Sequence, residues 1–148
     1  MQTPAPELLT ALSDAPPGRA LDLACGSGRH ARWLVERGWD VTAVDIAMPE
    51  IPGARCIQAD LERHEYRIEP EEWDLIVCWL YWQPDLLPEI AAGLRSCGIA
   101  ALAGKTNGRF ATSVDRYREA FDGFFEVASG SDANKCFFVA MRLEEAID

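Results

Sequence analysis

The 148-residue chain has no apolar run near the roughly 20 residues that cross a bilayer, which excludes a membrane-spanning helix. Its start, "MQTPAPELLTALSDAPPG", has neither a basic head nor a long apolar centre, so no signal peptide is expected. Positive charge is also scarce. Fourteen Lys and Arg face 24 Asp and Glu, for a net charge of −10, and the basic residues form no tract. Phosphate binding needs a basic surface, so nucleic acid is not the expected partner. The two histidines, His30 and His64, stand apart, and no Cys-x-x-Cys pair occurs, so no metal site is expected. Cys25, Cys56, Cys78, Cys97 and Cys136 make an odd count, which with the absent leader points to a reducing, cytoplasmic setting. Repeats and low-complexity tracts are missing too. The length suits a single domain over residues 1–148, able to bury roughly 70% of its unfolded surface.

What is present alternates between two patterns. "TPAPELLTALSDAPPG" predicts a short helix, with Thr3 as cap and Pro16, Pro17 and Gly18 as stop. "RALDLACG" is an apolar strand ending in glycine, and "SGRHARWLVERG" is a helix with Ala31, Leu34 and Val35 on one face. "WDVTAVD" is a β-branched strand ending in Asp45. The next segment, "IAMPEIPGARCIQAD", cannot hold a helix of normal length, because Pro49, Pro52 and Gly53 interrupt it. A third strand is "RCIQAD", and "LERHEYRIEPEE" holds at most a helical turn or two. "WDLIVCWL" reads as a buried strand. "PDLLPEIAAGLRSCG" reads as a helix with Leu87, Ile90, Ala91 and Leu94 inward, and "GIAALAGKT" is strand five. After a helix over "SVDRYREAFDG", the runs "FFEVAS" and "KCFFVAMR" are separated by five turn-forming residues and read as a hairpin. The chain is thus a series of βαβ units closed by an antiparallel hairpin.

The stretch "LDLACGSGRHA" fits the Gly-x-Gly-x-x-Gly/Ala pattern that grips a pyrophosphate, through Gly26, Gly28 and Ala31. A strand turning into a helix there offers free N–H groups, and glycine lets a ligand approach the backbone closely. Asp22 argues against the pyrophosphate, because a nearby carboxylate repels it. A ligand with a cationic end suits the acid. S-adenosylmethionine has one, in its ammonium and sulfonium, and carries no phosphate. Asp45, ending the second strand, can accept from both ribose hydroxyls. Asp60, ending the third, lies with Leu61 where an adenine edge would sit.

"ALDLACGSGRHARWLVERGWDVTAVDIA" resembles the first motif and second strand of class I S-adenosylmethionine-dependent methyltransferases. The resemblance continues through "CIQADL", "WDLIVCWLYW" and the closing hairpin. It implies an α/β, Rossmann-like, mostly parallel seven-stranded sheet in the order 3-2-1-4-5-7-6. Helices would lie on both faces, and the usual helix between strands two and three is missing. It further implies that Asp22, Ala24, Gly26 and Gly28 line the methionine part, and that Asp45 and Ile46 hold ribose and adenine. Asp60 and Leu61 would border the adenine, with Cys78 under the sulfonium end. The expected activity is methyl transfer from S-adenosylmethionine to a small-molecule or protein acceptor. A non-catalytic domain binding the cofactor or a partner is the alternative, with a homodimer as one way to cover the exposed adenine edge. A nicotinamide-dependent oxidoreductase is disfavoured by Asp22 and the hairpin.

Trp79, Tyr81 and Trp82 follow strand four at the edge that would border the acceptor, and serve either as core or as an aromatic acceptor wall. Lys105, after strand five, has a substrate role open to it, although "AGKT" lacks the earlier glycine of a nucleotide loop. No catalytic residue is nameable from the pattern. Asp74, at the opposite end of strand four, reads as structural, as does His30, which faces either solvent or the site.

Overall fold

The computed structural model describes residues 3–144. Seven strands form one sheet in the order β3-β2-β1-β4-β5-β7-β6, the order the resemblance implies. The strands are β1 (Arg19–Leu23), β2 (Asp40–Asp45), β3 (Arg55–Gln58), β4 (Trp73–Trp79), β5 (Leu94–Lys105), β6 (Phe125–Ser131) and β7 (Lys135–Met141). The helices are α1 (Pro6–Leu12), α2 (Arg29–Glu36), α3 (Leu87–Gly93) and α4 (Val114–Ala120). Strands β1 to β5 pair in parallel, and β7 runs antiparallel to both β5 and β6.

Period-two alternation divides the core into two layers. Leu21, Leu23, Ile76, Cys78, Ala100 and Leu102 face Leu87 and Ile90 of α3 and Tyr117 of α4. Ala20, Val41, Ala43, Leu75, Val77 and Ala101 face Leu8 and Leu12 of α1 and Ala31 and Leu34 of α2. Asp22 lies between Leu21 and Leu23, so the same alternation turns it toward α2 rather than into the apolar α3–α4 layer.

Two local expectations are corrected. Thr3 does not cap α1. Ala5 precedes Pro6, is held extended at ψ 131°, and occupies the cap position without a side-chain bond. The helix expected over residues 84–98 is shorter. A 3-10 turn at Pro84–Leu86 leads into α3, which ends at Gly93. Leu94 is buried as a strand residue opposite Trp73, and a register shift follows before Leu75 meets Ile99. Cys97, in the left-handed region at φ 66°, absorbs that irregularity. Gly98 is obligatory beside it, since a Cβ there would lie 2.9 Å from the Trp73 carbonyl oxygen.

Between β2 and β3 there is no helix, as the prolines require. The loop is nonetheless packed. Ile51 is buried against the α1–α2 layer. A Cβ on Gly28 would fall 2.6 Å from Ile51 Cδ1, and one on Gly53 would fall 2.8 Å from Val35 Cγ1. The Arg32 guanidinium ties the two loops, donating to the Ser27 and Glu50 carbonyls. Asp74 is structural as read, accepting the Arg19 N–H at 2.9 Å.

Candidate active site

The C-terminal ends of the parallel strands converge on three adjoining depressions. The first, about 400 Å³, lies between the ends of β2, β3 and β4 and is lined by Asp45, Ile46, Asp60, Leu61, Glu62 and Tyr81, among others. The second, about 200 Å³, joins it at Glu62, Leu80 and Tyr81 and adds Trp82, Lys105 and Phe110. The third, about 180 Å³, opens at the start of α2, with Asp22, Gly26, Arg29 and His30 in its wall. Ala24 and Trp79 each line the first and third. The fold therefore gathers most of the residues singled out from sequence along one edge, as the strand-end rule for open α/β sheets leads one to expect.

Gly28 and Cys78 line none of the three. Gly28 caps α2 at φ 84° and is closed off by Ile51. Cys78 is buried in the α3–α4 layer, its Sγ 3.8 Å from the Tyr81 carbonyl. Gly26 differs from Gly28, because nothing lies within 4 Å of where its Cβ would be.

Asp22 is the unusual group. It is 2% exposed, and its Oδ2 has no hydrogen-bond partner. Burial pushes its carboxyl up to about 7, and the charge of Asp45 adds to this. The Ala31 backbone bond and Arg29 pull the other way. Asp45 joins the glycine turn to β2. Its Oδ1 accepts the Gly26 N–H at 3.3 Å and its Oδ2 accepts the Ala47 N–H at 3.1 Å. Asp60 organises its own turn, with Oδ1 accepting the Glu62 N–H at 3.0 Å. Ile46, 64% exposed, stands at the rim as an apolar surface with no protein to cover it.

In the second depression, Trp82 is fixed edge-on to Tyr117 at 5.4 Å and carries Arg116 over its ring. Trp79 is largely core, while Tyr81 and Trp82 line the second depression. Burial pushes the Tyr81 hydroxyl up to about 12, reinforced by Glu62, which disfavours its ionised form. Burial likewise raises the Cys25 and Cys78 thiols to about 12, which disfavours their thiolates.

The sequence pattern did not single out Arg29, Glu62, Leu80 or Phe110, which line the depressions, nor the bracing residue Gln83. Gln83, 9% exposed, accepts from the Tyr81 hydroxyl at 2.7 Å and donates to the Leu61 carbonyl at 3.0 Å. It braces the turn after β3 against the wall after β4. Leu61 lies 22 positions away, so no local pattern signals the contact.

The fold and the edge site define a Rossmann-like domain with its depressions at the C-terminal ends of the parallel strands. The chain belongs to the methyltransferase family: the family model described as "Methyltransferase domain" matches residues 1–91. Among curated proteins it is similar to malonyl-[acyl-carrier protein] O-methyltransferase of Salmonella typhimurium, 32% identical over 157 aligned residues and 99% of this chain. It spans 58% of that protein's length. Among solved structures it resembles TehB from Haemophilus influenzae, with TM-score 0.81, 14% identity, and coverage of 96% of this chain and 63% of that one. It also resembles Burkholderia thailandensis 1,6-didemethyltoxoflavin-N1-methyltransferase, a structure with 1,6-didemethyltoxoflavin and S-adenosylhomocysteine bound. There the TM-score is 0.67 and the identity 21%, over 93% of this chain and 76% of that one. Among the described residues no helix is long and apolar enough to cross a membrane.

Proposed function

We propose that the chain binds S-adenosylmethionine along this edge and transfers its methyl group to a small-molecule acceptor in the cleft lined by Tyr81, Trp82, Lys105 and Phe110. The observation that carries the reading is Asp22, a buried carboxylate with an orphaned oxygen beside an open glycine turn. An orphaned buried acceptor is costly unless a donor arrives, and an ammonium supplies one. A pyrophosphate would bring more negative charge to the same place.

The remaining residues fit the same ligand. Asp22 would hold the ammonium, Gly26 and Ala24 would let the methionine part lie on the backbone, and Asp45 would accept the ribose hydroxyls. Ile46, Asp60 and Leu61 would border the adenine. When bound, the cofactor supplies a methyl group on a sulfonium, already a strong electrophile. The protein's part is then to orient the acceptor and exclude water. Tyr81 and Trp82 do this as a rigid wall, with the Tyr81 hydroxyl committed to Gln83. Lys105 gives the acceptor cleft a cation, suited to an anionic substituent on the acceptor. Two relatives set the range of acceptors worth trying. The Salmonella protein is named for O-methylation of a malonyl-acyl carrier protein, and the Burkholderia one for N1-methylation of 1,6-didemethyltoxoflavin.

Calorimetry with S-adenosylmethionine, S-adenosylhomocysteine and NAD tests the proposal. Binding of the first two without the third is expected, and tight NAD binding alone overturns it. Asp45→Ala should weaken S-adenosylhomocysteine binding by more than Glu119→Ala does. Cofactor binding with no transfer to any acceptor in a broad panel would reduce the domain to a binding module.

A further inference from the structure

We propose that the second depression takes a small aromatic acid, with its anionic group on Lys105 and its nucleophilic O–H or N–H turned to Glu62, which accepts the proton. The proposal rests on the methyl-transfer reading above. To that reading it adds a class of acceptor and a catalytic residue, Glu62.

The depression has two sides. Glu62, Leu80 and Tyr81 line both it and the first depression, so they form the seam between the two. Trp82, Lys105 and Phe110 line the second and not the first. The volume of about 200 Å³ falls below the roughly 300 Å³ at which pockets for drug-sized ligands begin, and suits one ring with small substituents. Its charges are divided, with Glu62 on the seam and Lys105 beyond it. Among the described residues neither side chain forms an ion pair. The chain's other lysine, Lys135, is paired with Glu7 at 2.8 Å. An anion and a cation that line one small depression without neutralising each other leave both charges to a ligand with a complementary group for each.

The walls between these charges are apolar and uncovered. Phe110 is 59% exposed and Leu80 is 41% exposed. Leu80 also sits in the left-handed region at φ 59°, its N–H held to the Ala103 carbonyl at 2.8 Å. Neither burial nor backbone preference calls for a leucine there, whereas a ring lying over it does. Trp82 borders this depression on one side and a groove containing Arg116 on the other, with the guanidinium 4.9 Å from its ring centroid. Arg109 lies 5.3 Å from the Phe110 ring centroid. Three cations thus gather around one depression in a chain of net charge −10, which favours an anionic ligand over a neutral one. Aromatic walls favour a planar ring over an aliphatic chain. With the anion on Lys105, the other side of the ring is turned to the seam. There the acceptor oxygen or nitrogen gives its electron pair to the methyl carbon, the electrons of the broken carbon–sulfur bond stay on sulfur, and the proton passes to a Glu62 carboxylate oxygen.

Calorimetry on the full chain, with S-adenosylhomocysteine present, tests the proposal with the hydroxybenzoate and aminobenzoate isomers as probes. At least one should bind saturably. The matching benzyl alcohol, which lacks the anion, and the matching cyclohexane acid, which lacks the flat ring, should each bind about tenfold more weakly or worse. Lys105→Met should weaken the aromatic acid about tenfold or more, as for loss of a charge-assisted contact, and leave the alcohol within about twofold. Leu80→Gly should also weaken the acid, yet leave the urea midpoint unchanged or raised, because glycine accepts left-handed backbone freely. Glu62→Gln should hold the acid's affinity and KM within about threefold while lowering kcat for methyl transfer by about 100-fold or more. If the chain binds S-adenosylhomocysteine but none of these acids, or transfers no methyl group to any acid it binds, the proposal fails. It fails equally if Lys105→Met weakens acid and alcohol alike, or if Glu62→Gln leaves kcat unchanged. Failure of the wild-type chain to bind S-adenosylhomocysteine overturns the methyl-transfer reading instead.

Discussion

Replacing Asp22 by Asn should make the empty protein more stable at pH 8 while impairing the site. The Asp22 carboxyl titrates at about 7 in the fold against an ordinary 3.8, chiefly because it is buried away from water. Each pH unit of that gap is worth about 1.4 kcal/mol, so ionising Asp22 in the empty site costs about 4 kcal/mol. The folded state holds this proton more tightly than the unfolded chain does. Below about pH 4 both states are protonated and Asp22 has no effect. Between about pH 4 and 7 the unfolded chain ionises first, and stability falls. Above about 7 the full cost is present. Asn is neutral throughout and retains an oxygen for the Ala31 N–H. The variant should match wild type near pH 4 and exceed it by up to about 4 kcal/mol at pH 8. In a chain of this size that is about 8–16 °C in Tm. Urea unfolding of both proteins from pH 4.5 to 8.5 reads the difference, in which the depressed carboxyls of Glu7, Glu126 and Asp132 cancel. A difference that stays constant across this range refutes the reasoning. The same titration governs binding. An ammonium ligand selects the ionised form, so about half a proton should be released per ligand bound at pH 7. Affinity should fall about tenfold per unit below pH 6.

Three further outcomes follow from the packing. Gly28→Ala should destabilise by about 2–4 kcal/mol in chemical denaturation, because left-handed backbone and a clash with Ile51 add; Ile51→Ala should relieve only the second part. Gly26→Ala meets no neighbour, so it should cost only about 1–2 kcal/mol of stability while reducing S-adenosylhomocysteine affinity, measured by calorimetry. Gln83→Leu orphans the Leu61 carbonyl and frees the Tyr81 hydroxyl, and should cost about 2 kcal/mol with faster amide exchange in the turn at residues 60–65.

The closing hairpin was legible because local chemistry dictates it, whereas the strand order followed from the family resemblance. Five turn-forming residues between "FFEVAS" and "KCFFVAMR" admit only an antiparallel return, and Asp132 closes that turn by accepting the N–H groups of Asn134 and Lys135. Asp22, Asp45 and Asp60 were legible for a related reason. Each stands at or near a strand end, where a parallel sheet brings unlike segments to one edge. What escaped notice depends on partners far along the chain. His30 reads as an isolated histidine until Ala5, 25 positions earlier, fixes its proton. Gln83 follows an aromatic run and looks like loop until Leu61 is folded beside it. Leu94 has the spacing of a helix face, but pairing with Trp73 in the sheet takes it into β5.

The same distinction explains why the glycine pattern alone could not identify a ligand. Of its two glycines, Gly26 is open to whatever lies on the turn, whereas Gly28 is filled from behind by Ile51. Ile51 belongs to the proline-interrupted loop that stands where a helix is usual. Gly53 in that loop packs in turn against Val35 of α2. The loop and α2 thus fit each other through two glycines, one on each side. Gly28 would be needed here whatever the ligand, since its φ of 84° and its contact with Ile51 both exclude a side chain. On the function proposed above, Gly26, Asp22 and Asp45 are the residues around this turn that would meet the ligand. The missing helix therefore leaves the turn itself intact, because the shorter loop still buries Ile51 against α2. Its consequence falls at the next position along the rim, where Ile46 is left uncovered and, on the function proposed above, would meet the adenine.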